Sequence, residues 1–379
     1  MRVAIDARPA LDPRRTGVGH YANRLIRALP LADPDARYTA WYLHAKGLLR
    51  PRRFFADVTA PNFEERASRF PARVFQPVSF RLGVPLLEWL LDFDVVLATN
   101  FLPPPTRRRA VLVVHDLAFL RFPETAPHMG ARWMRRFEDR LMRAAGVIVP
   151  SVSAADDLRE LTGVGGERVT VVPHGIDGPE PPGREAIAGT RRRFGIEGDY
   201  LLFVGGIEPR KNLGALVRAF AQVPGDARLV IAGGPVRWIP EATDRLRREI
   251  EGLPDGVRSR VVLTGYVSDA DKAALLAGAA TLAYPSLYEG FGLPVLEAMA
   301  CGVPVLASDV SSLPEVAGDA AVLVDPRDDG AIAAGLARLL EDEALRARLR
   351  EAGRARAATF TWEEAARRTA LALRRAVGG

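Results

Sequence analysis

A chain of 379 residues with 48% apolar and 26% charged side chains is long enough for two domains and apolar enough to fill their cores, with no sign of disorder. The single cysteine, Cys301, excludes a disulfide scaffold or a cysteine zinc site, no apolar run reaches the ~18 residues of a membrane-crossing helix, and MRVAIDARPA reads as a strand and turn rather than a cleaved leader. The formal charge is +6, yet only Lys46, Lys211 and Lys272 among 52 basic residues are lysine, and the excess is confined to residues 1–178, with 26 basic against 19 acidic side chains; such a half suits phosphates or an anionic membrane surface, and its arginine bias reads as codon usage rather than a nucleic-acid footprint.

Short apolar runs alternate with helical patterns throughout, the pattern of βα units and parallel sheets. Strands are expected at Arg2–Asp6, Tyr38–Leu43, Val95–Thr99, Ala110–His115, Val147–Pro150 and Val169–Val172, with helices at His20–Leu29, Arg132–Ala144 and Ala154–Leu161. The polar, Pro- and Gly-rich stretch from Gly178 to Gly189 reads as a linker. Alternation then resumes: strands at Tyr200–Val204, Arg228–Ala232, Val261–Thr264, Thr281–Tyr284, Val303–Ala307 and Ala321–Val324, helices at Asn212–Ala221, Ile239–Glu251, Asp269–Ala277 and Pro294–Ala300. Two long helices, Gly330–Ala352 and Trp362–Ala376, close the chain. The expected fold is α/β, two Rossmann-like doubly wound domains facing a central cleft, 1–178 and 179–361. In such sheets ligands bind beyond the carboxyl ends of the strands.

After the first strand, Gly17-x-Gly19-x-x-Ala22 matches the dinucleotide fingerprint. About ten residues separate it from the strand, and no acidic residue ends a second strand ~20 residues on, so an NAD site is not supported. What remains is a glycine loop before a helix, able to approach an anion or to be an ordinary connection. His115 ends the fourth strand, where an imidazole serves as hydrogen-bond donor or acid/base, or sits satisfied in the core. Asp92-Phe93-Asp94 resembles a metal-clamping DxD triplet, but it immediately precedes a strand, where Asp commonly marks the N-terminal end.

The second half carries denser signals. Strand Tyr200–Val204 runs into Gly205-Gly206, whose backbone can approach a ligand, then Glu208-Pro209 and a helix expected to open with Arg210 and Lys211. Two cations at a helix N-terminus oppose the dipole, a cost that a bound diphosphate reverses. In Tyr284-PSLYEGFGLPVLEAMACG, Glu289 lies in a glycine loop and Glu297 is expected in the first helical turn after Pro294, eight residues on. Together with the amides of Phe291, Gly292 and Leu293 they form a polar claw for hydroxyls and an anion.

Gly205-GIEPRKN, Glu289-GFGLPVLEAMACG and VPHGID (172–177) together resemble the retaining glycosyltransferases of family 4, which have the GT-B fold, and the resemblance covers essentially the whole chain. It implies a nucleotide-diphosphate sugar held mainly by the C-terminal domain, an acceptor held by the N-terminal one, a last helix, 362–379, that crosses back to complete the first domain, and no metal or other cofactor. On the matching positions, Arg210 and Lys211 grip the diphosphate, Glu289 contacts the transferred sugar and Glu297 the ribose. The resemblance further implies that Phe291, Gly292 and Leu293 meet sugar or phosphate, that Gly205 and Gly206 line the donor, and that Gly265, Tyr266 and Val267 run along the base. By the same carry-over His115 lies near the sugar's 6-position, and Gly17 and Gly19 lie beside the phosphate and acceptor. His174 and His20 depart from the residues usual at their positions.

The start IDARPAL…RRTGVGHYANRL is most similar to bacterial mannosyltransferases of surface-polysaccharide assembly, which favours GDP-mannose over a UDP-sugar as donor. The expected partners are that donor, a saccharide or lipid-linked acceptor and an anionic membrane face, with a cytoplasmic location and no nucleic acid. A nucleotide-sugar epimerase, a dehydrogenase and a noncatalytic sugar-binding protein are the competing readings. The chemistry implied is cleavage of the anomeric C–O bond, with Glu289 positioning rather than acting as a nucleophile and the cations stabilising the leaving phosphate.

Overall fold

The computed structural model describes residues 1–11, 17–43, 53–68, 84, 86–178 and 182–378. They divide into two compact units, the first comprising 1–117, 130–175 and 360–379, the second 118–129 and 176–359. Segment 118–129 thus falls with the second unit, although the sequence puts it deep inside the first half.

The first unit holds seven parallel strands, β1 (Arg2–Asp6), β2 (Arg37–Leu43), β3 (Phe63–Ser68), β4 (Val95–Ala98), β5 (Arg109–Val113), β6 (Gly146–Val149) and β7 (Val169–Val171), in the order β3-β2-β1-β4-β5-β6-β7. β1 is the switch point, with the chain winding outward to β2 and then returning to β4. Val3 and Ile5 join one core with helix Gly17–Ala32 and the last helix, Trp362–Gly378. Ala4 joins a smaller core with Trp41, Phe93 and Val96. The last helix buries mainly alanines beside Trp362 and Leu373, small side chains that let it pack closely. Arg109 donates to the carbonyls of Ala376 (2.6 Å) and Val377 (3.0 Å), filling acceptors a helix end leaves open.

The second unit holds six parallel strands, β8 (Tyr200–Val204), β9 (Arg228–Ala232), β10 (Val261–Gly265), β11 (Thr281–Tyr284), β12 (Val305–Ser308) and β13 (Val322–Val324), in the order β10-β9-β8-β11-β12-β13. Its switch point is β8, flanked by β9 and β11.

One strand, β3, was not expected, and three expectations need correction. β3 breaks the alternating apolar pattern at its middle inward position, where Glu65 accepts from Tyr42 Oη (2.7 Å) and the Phe54 amide (2.6 Å). Helix Gly17–Ala32 begins earlier than expected, so Gly17 and Gly19 lie in its first turn rather than in a loop. The second half of the expected linker is helical, the start of helix Arg184–Phe194, which is closed by Gly195 at φ +63°; its three consecutive arginines hid a short apolar face. The single helix expected at 330–352 is two, Asp329–Glu341 and Glu343–Ala357, because Asp342 leaves helical geometry and caps the second through the Leu345 amide (2.8 Å).

Within the first unit Gly175 packs so tightly that a Cβ there would lie 2.5 Å from the Trp362 backbone nitrogen, whereas nothing lies within 4 Å of a Cβ at Gly178. Gly175→Ala should therefore lower the melting temperature of the first unit by several degrees, about 2–4 °C per kcal/mol lost, with Gly178→Ala close to wild type in differential scanning calorimetry. Equal melting for both variants would contradict this packing.

Candidate active site

The switch point at β8 brings together Glu208, Arg210, Lys211 and Glu289. Beyond β8 the chain passes Gly205 and Gly206 and makes a single 3-10 turn, Pro209–Lys211. Asn212 then takes a left-handed conformation (φ +58°) before helix Leu213–Phe220. Arg210 and Lys211 thus precede the helix rather than open it. Asn212 fixes the turn by donating to the Pro285 (3.0 Å) and Pro326 (2.6 Å) carbonyls, and the Leu287 amide donates to Arg210 O (2.8 Å). The exits of β8 and β11 are thereby tied together.

Glu289, on the β11 exit loop, meets both cations. Lys211 Nζ donates to Glu289 Oε1 (2.5 Å) and Tyr284 Oη (2.6 Å); Arg210 Nη1 donates to Glu289 Oε2 (3.0 Å) and the Tyr288 carbonyl (3.0 Å), and its Nε to Glu208 Oε2 (3.0 Å). Two cations and two carboxylates balance in a buried quartet; Lys211 and Glu289 are each 7% exposed. Burial pushes the Glu289 carboxyl upward, but Lys211 and then Arg210 outweigh it and hold the group at about 2. Burial, followed by the Arg210 charge, pushes the Lys211 ammonium down.

Serines that carry no recognisable motif hold the Glu289 loop. Ser311 Oγ accepts from the Glu289 amide (3.1 Å) and donates to its carbonyl (2.6 Å); Ser312 Oγ donates to the carbonyls of Glu289 and Phe291 (2.9 Å each). The signal for them was a serine pair following a strand, in SDVSS. Gly292, at φ +106°, precedes helix Leu293–Ala300, with Pro294 in its opening turn as expected. Leu293 opens the first turn, in which Pro294 has no amide proton and the Val295 amide donates to the Gly292 carbonyl (3.0 Å). Glu297 is the fifth residue of this helix, one position further in than expected because the helix begins at Leu293, and accepts from Lys272 Nζ (2.6 Å).

Another pair the sequence reading missed joins the exits of β8, β9 and β10. A Cβ at Gly233, after β9, would lie 1.7 Å from the Gly205 carbonyl, so only glycine fits. Gly233 also bridges Gly265, the φ +69° end of β10, and Gly234 packs on Tyr266. Gly205, Gly206 and Gly265 thus share one rim, with Tyr266 67% exposed beside it and Val267 next. Segment 118–129 adds Phe122 against Tyr288 (5.8 Å) and Thr125, whose carbonyl accepts from Trp238 Nε1 (3.1 Å).

His115 lies in the first unit, two residues past β5. Its Nε2 is 2.9 Å from the Thr99 carbonyl, which can only accept, so Nε2 carries the proton and Nδ1 is an acceptor without a hydrogen-bond partner among the described residues. Burial pushes its pKa down, favouring this neutral form. Through Nδ1 the ring thus offers an acceptor, while the Nε2 donor is held by Thr99. Tyr21 (4.8 Å) and His174 (5.5 Å) pack on it, and Trp362 stands 6.0 Å from His20 and 6.1 Å from Tyr21. His174 and His20, the two departures, therefore belong to an aromatic cluster. Asp6 is buried against Arg8, and its carbonyl accepts from Thr99 Oγ1 (2.7 Å) at the β1 switch point. Asp92 and Asp94 both pair with Arg2 at the N-terminal ends of β1 and β4, accounting for the DxD triplet structurally.

The model for glycosyl transferases group 1 matches residues 190–356, and that for glycosyltransferase family 4 matches residues 15–178. O-antigen chain mannosyltransferase B of Escherichia coli is 33% identical, covering 97% of this chain and 98% of the relative. The serotype-specific mannosyltransferase WbdA of the same organism is 32% identical over 68% of this chain, which spans only 32% of that protein. D-inositol 3-phosphate glycosyltransferase of Xylanimonas cellulosilytica is 37% identical over 60% of this chain and 57% of its own length. Among solved structures, Anabaena HepE in complex with UDP and glucose superimposes with TM-score 0.73 at 20% identity, covering 99% of both chains. WaaG, a glycosyltransferase of lipopolysaccharide biosynthesis, gives 0.63 at 19% identity over 95% of both. With motifs, sheet topology and near-full-length identity in agreement, this chain belongs to the family 4 glycosyltransferases of the GT-B fold.

Proposed function

We propose that the chain transfers a hexose, mannose from GDP-mannose in preference to a sugar from a UDP donor, to a hydroxyl of a saccharide or lipid-linked acceptor, with retention at the anomeric carbon and no metal ion. The observation that carries this reading is the convergence of Arg210 and Lys211 on Glu289 at a topological switch point, where α/β sheets bind ligands. The near-full-length likeness to a mannosyltransferase supports the sugar. A UDP-sugar is the second reading, supported by the fold shared with HepE, whose structure holds UDP-glucose.

In this mechanism the anomeric C–O bond to the diphosphate breaks as the acceptor oxygen bonds to the same carbon from the leaving-group face. The acceptor's proton passes to a phosphate oxygen. Arg210 and Lys211, already fixed by their carboxylates, stabilise the growing phosphate charge without reorganising. Glu289 is a poor covalent nucleophile because both of its oxygens accept from cations and its basicity is low. It positions the cations and favours positive charge at the sugar. His115 Nδ1 suits a hydroxyl hydrogen.

The acceptor is assigned to the first unit, on an anionic membrane surface at the cytoplasmic side. Arg132, Arg135, Arg136 and Arg140 line a cavity of about 300 Å³ with Pro103 and Pro105. Trp89, 65% exposed, stands on a turn tied to Pro105 through the Leu87 amide (2.8 Å). Arginines beside an exposed Trp are the combination that binds anionic interfaces. Arg109 is engaged at the last helix end, and Arg50 and Arg52 lie outside the described residues. No helix among the described residues is long and apolar enough to cross a membrane.

Lys211→Ala should lower kcat/KM for GDP-mannose by about 10²–10³-fold, checked by steady-state kinetics with acceptor present; a near-wild-type value would remove the diphosphate assignment. Because Glu289 titrates near 2, it stays ionised across pH 5–8, so Glu289→Gln should depress kcat/KM by a similar factor at every pH there. A loss confined to one limb would contradict that protonation state. Binding to vesicles should rise with their phosphatidylglycerol content and fall in the triple variant Arg132→Gln, Arg135→Gln, Arg136→Gln; binding indifferent to lipid charge would refute the membrane assignment.

A further inference from the structure

Three of the 52 basic residues are lysine, and two of those three donate to the two glutamates of the claw. Lys211 takes Oε1 of Glu289, and Lys272 takes Oε1 of Glu297 at 2.6 Å. Lys272 sits one turn into helix Asp269–Gly278, directly after the Gly265–Val267 rim. The helix start is fixed: Ser268 Oγ accepts from the Asp271 amide (3.1 Å) and donates to Asp271 Oδ2 (2.7 Å), and Asp271 also pairs with Arg193. Lys272 is therefore held from its own helix while Glu297 is held from helix Leu293–Ala300.

The choice of lysine has a geometric meaning in a chain that otherwise uses arginine. A guanidinium presents two parallel N–H groups and takes both oxygens of a carboxylate, whereas an ammonium is a point donor that occupies one. No hydrogen bond reaches the second oxygen of the half-buried Glu297 carboxylate among the described residues. The same rule operates at Glu289, where Lys211 occupies one oxygen and leaves the other to Arg210. The nearby Cys301 thiol is pushed up to about 11 by burial and then by the Glu297 charge, so it stays protonated at neutral pH.

We infer that Lys272 is a positioning residue for nucleotide recognition: it anchors Glu297 by one oxygen so that the other is free and aimed to accept from the ribose hydroxyls of the donor. This rests on the assignment of Glu297 to the ribose within the proposed function. A lysine at 272 makes the carboxylate a selective reader of a cis-diol; an arginine there closes the reader.

Isothermal titration of GDP and 2′-deoxy-GDP, and of UDP and 2′-deoxy-UDP, into wild type, Lys272→Met, Lys272→Arg and Glu297→Gln tests this. Wild type should favour the ribonucleotide by about tenfold or more, the effect of a hydrogen bond to a charged group. Lys272→Met should bring that preference to within about twofold at an unchanged melting temperature, and its kinetic loss should fall on KM rather than kcat. Lys272→Arg, although it restores the charge, should not restore the preference. Full rescue by arginine would overturn the point-donor argument, and a preference surviving in Lys272→Met would overturn the inference. If Glu297→Gln abolishes the preference and Lys272→Met does not, the positioning role alone falls. If Glu297→Gln also keeps it, or wild type binds neither diphosphate, the ribose assignment itself falls.

Discussion

Everything in the second unit's site depends on one buried ionic contact, the pairing of Glu289 with Lys211 and Arg210. Removing an ammonium and a carboxylate from water costs several kcal/mol per ion, and this returns only where geometry and further hydrogen bonds are good. Here they are: Tyr284 takes a second Lys211 proton, Glu208 and the Tyr288 carbonyl take Arg210, and two serines clamp the loop bearing Glu289. The result is a neutral quartet whose cations are fixed before any ligand arrives. On the proposed function, a diphosphate entering it meets donors that need not move, the condition under which electrostatic stabilisation is most effective.

Topology explains why these residues meet. Arg210 and Lys211 follow β8 and Glu289 follows β11, some eighty positions later, and they touch because β8 is where the winding reverses. The first unit repeats the device at β1, where Asp6, Thr99 and His115 are linked through backbone carbonyls. The two switch points differ in character. One is ionic and suits phosphate; the other is aromatic, with Tyr21, His174 and Trp362 around an imidazole whose one open nitrogen accepts.

Strands with strong apolar runs were legible from sequence, Tyr200–Val204 and Thr281–Tyr284 to the residue, because burial on both faces leaves no ambiguity. β3 was not, since at its middle inward position, between Phe63 and Ala67, it carries Glu65, hydrogen-bonded to Tyr42 and Phe54, where an apolar residue would have marked the alternation. The carboxylate-and-cation set was legible through EPRKN and EGFGLPVLE. Its wiring was not: that Lys272 reaches Glu297, that Ser311 and Ser312 clamp the loop, and that Gly233 must be glycine all depend on which strand exits lie side by side. The tautomer of His115 was not legible for a related reason, because its Nε2 proton is engaged by Thr99, the residue that follows β4.

If the quartet is a preformed diphosphate site, a crystal structure with GDP bound should show both phosphates within about 3.5 Å of Arg210 or Lys211 nitrogens, with Glu289 still on Lys211 and the ribose at Glu297. Phosphates bound elsewhere over an undisturbed quartet would contradict it.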